Sequence, residues 1–127
     1  MLAAGSSTRL RPFTERLPKG LLPVAGVPML ERSIRHLMTI GAGEITIVTG
    51  FHEERIRAAV ASWFPGLAVQ YLTNDDYATT NNGYSLLVAR PAVDGQPFLL
   101  LDSDIIVPHK DELLFVGRAP TVNWLQF

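Results

Sequence analysis

Cysteine is absent from the 127 residues, which excludes a disulfide framework, a zinc–thiolate centre and a thiol nucleophile. That absence fits a cytoplasmic protein. An excess of one charge is missing too. Eleven lysines and arginines stand against 12 aspartates and glutamates, a net charge of −1, so nothing electrostatic points to nucleic acid. No apolar run approaches the length that crosses a bilayer, so no membrane partner is expected. The opening Met1-Leu2-Ala3-Ala4 lacks the basic stretch and the long apolar stretch of a secretory signal. Histidine is scarce, with three in all, and none of them has a second histidine or an acidic partner at ligand spacing. His36 falls on the expected outer, solvated face of a helix, His52 at a helix start, and His109 after a proline in a loop. Ser6, Ser7 and Ser103 stand outside any G-x-S-x-G context, which argues against a serine hydrolase.

What the chain does contain is an alternation of short apolar runs with amphipathic stretches, the pattern of an α/β fold. The length suits one domain, or a piece of one, over residues 1–127. Pro28 stands where a helix begins, and Met29, Ile34, Leu37, Met38 and Ile40 follow at helical spacing before Gly41. Glu44 to Thr49 predicts a buried strand. Glu53 to Trp63 predicts a second helix, with Ile56, Ala59, Val60 and Trp63 on one face and Pro65-Gly66 as its stop. Leu67 to Leu72 predicts a strand, Asn82 to Arg90 a short helix with Leu86, Leu87 and Ala89 inward, and Phe98 to Leu101 a third strand. Beyond Pro108 the pattern weakens. Leu113 to Val116 fits a helix end or a strand, and the apolar Val122, Trp124, Leu125 and Phe127 read as a strand without a partner.

Three groups of residues carry chemistry. Residues 2–19, LAAGSSTRLRPFTERLPK, read as a strand end, a turn of small residues and two spaced cations. Gly5, Ser6 and Ser7 allow the backbone N–H groups to face an anion, Arg9 offers a planar fork, and Lys19 adds a point charge. The spacing is neither a Walker A loop nor a G-x-G-x-x-G fingerprint. A surface loop with solvated cations is an equal reading of these residues. Asp102 and Asp104, two apart after an apolar strand, point to one face and suit Mg²⁺, with an Asx-turn or helix cap as the competing reading. Asn74, Asn81 and Asn82 carry the donors and acceptors that a base edge or ribose requires. By residue type alone, loop punctuation and helix capping suit them better.

Together these residues resemble the nucleotidyltransferase (NTP transferase) family. LAAGSSTRLRPFTERLPKGLLPVAGVPMLE follows that family's LAAG…R-L-x-P-x-T…P-K…V…G-x-P opening. NDDYATTNNGYSLLVAR and LLLDSDI are similar to its bacterial phosphocholine cytidylyltransferase branch. The resemblance runs from about Leu2 to Val107. It implies a Rossmann-like three-layer α/β/α fold with a mostly parallel sheet, here expected to lack its first strand and its C-terminal half. It also implies Mg²⁺, CTP and a small phosphorylated acceptor, with sugar-1-phosphate transfer or an inactive nucleotide-binding remnant as alternatives. Leu2, Ala3, Ala4 and Gly5 would line the base and ribose pocket. Gly5, Ser6, Ser7 and Arg9 would wrap the triphosphate, and Lys19 would reach the reacting phosphates. Asn74, Asn81 and Asn82 would lie near the base and ribose. Asp104 would hold Mg²⁺ with Asp102 as helper.

Overall fold

The computed structural model describes residues 1–106. Strand β1 is only Leu2–Ala3. After it come two short 3-10 turns, Thr8–Leu10 and Lys19–Leu21, and then a hairpin of β2, Pro23–Val24, with β3, Val27–Pro28. Helix α1 spans Met29–Thr39, β4 Ile45–Thr49, α2 Glu53–Trp63, β5 Val69–Thr73 and α3 Asn82–Val93.

The sheet is parallel, in the order β1-β4-β5, with Leu2 opposite Val48 and Ile45 opposite Val69. Residues pointing to alternate faces build two cores. Met1, Ala3, Ile45 and Ile47 pack against Leu30, Ile34 and Leu37 of α1 and Ile56 and Val60 of α2. Leu2 and Val48 face the other way and meet Ala89 of α3, with Leu72 and Val88 beside them. Three layers result, as the α/β reading requires. Leu30, Ile34 and Ile47 are fully buried, each contributing roughly 2–3 kcal/mol relative to exposure.

Several local expectations shift. The strand expected at Leu67 begins at Val69, because the register with β4 starts there and the Leu67 N–H instead closes a turn onto the Phe64 carbonyl at 3.1 Å. The helix expected to stop at Arg90 continues through Pro91 to Val93. Pro91 cannot donate to the Leu87 carbonyl, yet both residues are exposed, so water can serve that carbonyl. Leu87, expected inward, is 55% exposed, one step off the Leu86–Ala89 face. No strand forms over Phe98 to Leu101. A single parallel bridge joins Leu2 to Asp102, with Leu2 N–H donating to Leu101 O and Ser103 N–H to Leu2 O, both at 2.9 Å. The two-residue β1 offers no longer ladder. His36 is half-buried rather than solvated, and its Nδ1 is enclosed without a hydrogen-bond partner among the described residues. Trp63 packs against the α1–α2 core, as expected. The hairpin β2–β3, turning through Ala25 and Gly26 at positive φ, had not been expected. His109 and the apolar tail lie outside the described residues.

Candidate active site

The order of the sheet decides where a site can form. From β1 the chain moves outward through β4 to β5, then crosses back by α3 to lay residues 101–103 along the free side of β1. In such sheets the crevice at the carboxyl ends, where the order reverses, is the natural binding place. Here the loop after β1, the Asp102–Asp104 turn and the start of α3 all emerge at those ends.

The loop after β1 is fixed at a few points and open at others. Leu2, Ala3 and Ala4 are buried, and the Ala4 carbonyl accepts from the Phe51 N–H at 3.1 Å. Gly50 makes that contact possible. A Cβ there would lie 2.9 Å from the Ala4 oxygen and 2.8 Å from the Tyr77 Cβ. Farther on, the Ser7 carbonyl accepts from the Leu10 N–H at 3.0 Å and from the hydroxyl of the buried Thr14 at 2.7 Å. Ser7 itself takes the left-handed conformation, φ 48. Between these anchors Gly5 and Ser6 make no hydrogen bond among the described residues, so their N–H donors are unspent, and nothing lies within 4 Å of where a Gly5 Cβ would point. Arg9, Arg11 and Arg16 are exposed and carry no ion pair among the described residues. The turn is therefore open, and the chain that follows it carries exposed cations.

Lys19 faces the aspartates. Its ammonium donates to Asp104 Oδ2 across 85 residues of sequence. The backbones behind this pair are pressed together, for a Cβ on Gly20 would come within 3.1 Å of the buried Ser103 side chain. On the other flank Asp102 Oδ1 accepts from Asn82 Nδ2 at 3.3 Å. Burial pushes the Asp102 carboxyl above the ordinary carboxylate range and the Asp104 charge adds to this, while the Met1 amine and Lys19 pull it back. Asp102 and Asp104 are half-buried carboxylates side by side, an oxygen-only donor set. That fits a hard cation such as Mg²⁺, which takes one or two carboxylates and completes its shell with water and phosphate.

The asparagines divide their work. Asn74 is buried, and its amide is spent inside the chain: Nδ2 donates to Thr80 Oγ1 and Ser85 Oγ at 3.0 Å each, and Oδ1 accepts from the Asp76 N–H at 3.0 Å. Asn81 caps α3, accepting from the Tyr84 N–H at 3.2 Å. Only Asn82 reaches the carboxylates. The structure thus brings together Leu2, Lys19, Asn82, Asp102 and Asp104, with the Gly5–Ser7 turn continuing from the same end of β1, while Asn74 and Asn81 hold the adjoining loop in shape.

Sequence reading gave no role to Gly20, Gly50 or Thr14. The available signal was a glycine directly after a lysine or after an apolar strand. That marks a turn or a close approach without saying against what.

Comparison with known proteins gives this site a context. A family model described as a MobA-like NTP transferase domain matches residues 1–116. The CMP-5'-(3-aminopropyl)phosphonate synthase of Streptomyces rubellomurinus is 38% identical over 106 residues, 84% of this chain and 17% of that protein. The 2-aminoethylphosphonate cytidylyltransferase of Lancefieldella rimae is 31% identical over 93% of this chain and 46% of its own length. Among solved structures, the CTP:phosphocholine cytidylyltransferase from Streptococcus pneumoniae superposes with a TM-score of 0.64 at 32% identity, over 83% of this chain and 48% of that one. The chain spans half or less of the length of these relatives.

Proposed function

This chain belongs to the MobA-like NTP transferase domain family, and from that premise we propose that it is the nucleotide-holding part of a cytidylyltransferase. It would transfer CMP from CTP to a phospho-alcohol, phosphocholine first, and release pyrophosphate. The observation that carries this reading is the pairing of Lys19 with Asp104, beside the bridge that sets Asp102 against Leu2, at the end of β1 from which the unspent Gly5–Ser6 turn continues.

The residues present suit in-line transfer at the α-phosphorus of CTP. An acceptor phosphate, whose second pKa is about 6, is already largely an anionic nucleophile at neutral pH. Its oxygen forms the new P–O bond as the bond to the bridging oxygen breaks and pyrophosphate leaves. No strong general base is needed, so a chain without a catalytic histidine or cysteine can do this. The backbone of Leu2 to Gly5 lines the base and ribose, and the Gly5 to Ser7 amides with Arg9 take the outer phosphates. Lys19 neutralises charge at the reacting centre. Asn82 stands near the base and ribose, with Asn74 and Asn81 shaping that wall. Asp104 and Asp102 would hold Mg²⁺, which when bound supplies charge neutralisation on the phosphates.

A second acceptor reading has its own support. Two of the relatives above are named for aminoalkylphosphonates, which share with phosphocholine a phosphorus anion at one end and a cationic nitrogen at the other. A panel pairing CTP, UTP and dTTP with phosphocholine, 2-aminoethylphosphonate and glucose 1-phosphate, read by pyrophosphate release, separates these cases. CTP with a phosphoamine-type acceptor is the expected active pair. Lys19→Ala and Asp104→Ala should each lower the rate by more than roughly 100-fold. Release with UTP and the sugar phosphate at an equal rate, or either variant at the wild-type rate, would contradict the assignment.

A further inference from the structure

We propose that Lys19 is the resident counter-ion of the Asp102–Asp104 pair, and that it trades this partner for the nucleotide's phosphates when a divalent cation takes the carboxylates. This rests on the nucleotide reading above and adds to it a coupling between the two ligands.

Arg9, Arg11 and Arg16 on the same loop are free among the described residues, while Lys19 is spent on one of the chain's own carboxylates. Behind it Gly20 packs closely on Ser103, for a Cβ on Gly20 would lie 3.1 Å from the Ser103 side chain. The two side chains keep 34% and 31% of their exposure, enough for a ligand to reach them and too little for water to screen the pair fully.

An ammonium paired with Asp104 repels a divalent cation that approaches the same carboxylates. In the free protein a cation arriving alone therefore meets the Lys19 charge, or displaces it and leaves that ammonium without a partner. A nucleotide arriving with the cation changes the balance. Its phosphates receive Lys19 as the metal receives Asp104, so each charge leaves one partner and gains another. Cation and nucleotide consequently bind with positive coupling, which by linkage is equal in both directions. The exchange also discriminates against loading the carboxylates with metal before substrate is present.

The test uses Mn²⁺ as the probe, with free ion read by electron paramagnetic resonance, in the presence and absence of CTP. Without CTP, Lys19→Met should bind Mn²⁺ roughly three- to tenfold tighter than wild type, the scale of losing one partly screened charge. Lys19→Arg, which keeps the charge, should match wild type. With CTP present the advantage of Lys19→Met should vanish or reverse. The exchange is overturned if Lys19→Met binds Mn²⁺ no tighter, or if Lys19→Arg behaves like Lys19→Met. Asp104→Asn introduced into Lys19→Met separates the two levels. If it leaves Mn²⁺ affinity unchanged, the metal assignment itself falls with the exchange. If it weakens Mn²⁺ while Lys19 has no effect, only the exchange fails.

Discussion

Gly50, directly after β4, and Gly5, in the turn after β1, make opposite demands. At Gly50 a methyl group would strike the Ala4 carbonyl and the Tyr77 Cβ at under 3 Å, and neither is the yielding tip of a side chain. Gly50→Ala should therefore destabilise the fold by about 1–3 kcal/mol, the range for forcing extra volume into a packed site, and urea denaturation measures it. At Gly5 the same methyl group would meet open space. Gly5→Ala should leave stability within about 0.5 kcal/mol of wild type while weakening CTP binding, because that space is where the phosphates would lie. A variant pair that behaved alike in both assays would break the link between this turn and ligand. Sequence showed both residues as glycines and could not rank them. What separates them is contact with Ala4 and Tyr77, and Tyr77 lies in a different loop.

Between elements, one carboxylate ties three together. Glu53, in the first turn of α2, accepts from the hydroxyl of Thr73 at the end of β5 at 2.7 Å and of Thr49 at the end of β4 at 2.9 Å. It also pairs with Arg57 at 3.1 Å. The Thr73 bond, then the Thr49 bond and Arg57, hold its carboxyl below the ordinary glutamate value against an opposing effect of burial. A carboxylate whose folded pKa is depressed contributes stability above its unfolded value and loses it as pH falls through the folded one. Glu53→Gln should thus cost about 1 kcal/mol at neutral pH, with the difference from wild type shrinking below about pH 4 as Glu53 itself protonates. Thermal melts across pH 3–7 would show it, and a pH-independent difference would exclude this origin. The bounds of α2 were legible because His52 and Pro65-Gly66 punctuate both ends. The start of α3 at Asn82 was legible as well, but its end was not, since Pro91 reads as a stop and its exposed position makes it tolerable. The 98–101 stretch had the composition of a strand, but a ladder also needs a partner, and β1 has two residues.

On the scale of the whole molecule, the sheet order brings Lys19 against Asp104 and Asn82 against Asp102. The motifs were visible in the sequence one at a time, and the fold class followed from their alternation with helices. Their meeting was not visible, because it depends on the chain crossing back beside β1. Nor did residue type reveal that Asn74 would be buried with its amide satisfied internally. Among the described residues no helix is long and apolar enough to cross a membrane. The family match covers most of the chain, the chain spans half or less of the relatives compared above, and the function proposed for it is nucleotide holding. That claim is best met by calorimetric titration of CTP with Mg²⁺ into the chain and into the double variant Arg9→Ala, Asp104→Asn. Saturable binding by the wild type, reduced at least roughly 100-fold in the double variant by the loss of two charged contacts, is the predicted result. Absence of wild-type binding, or equal affinity in both proteins, would contradict it.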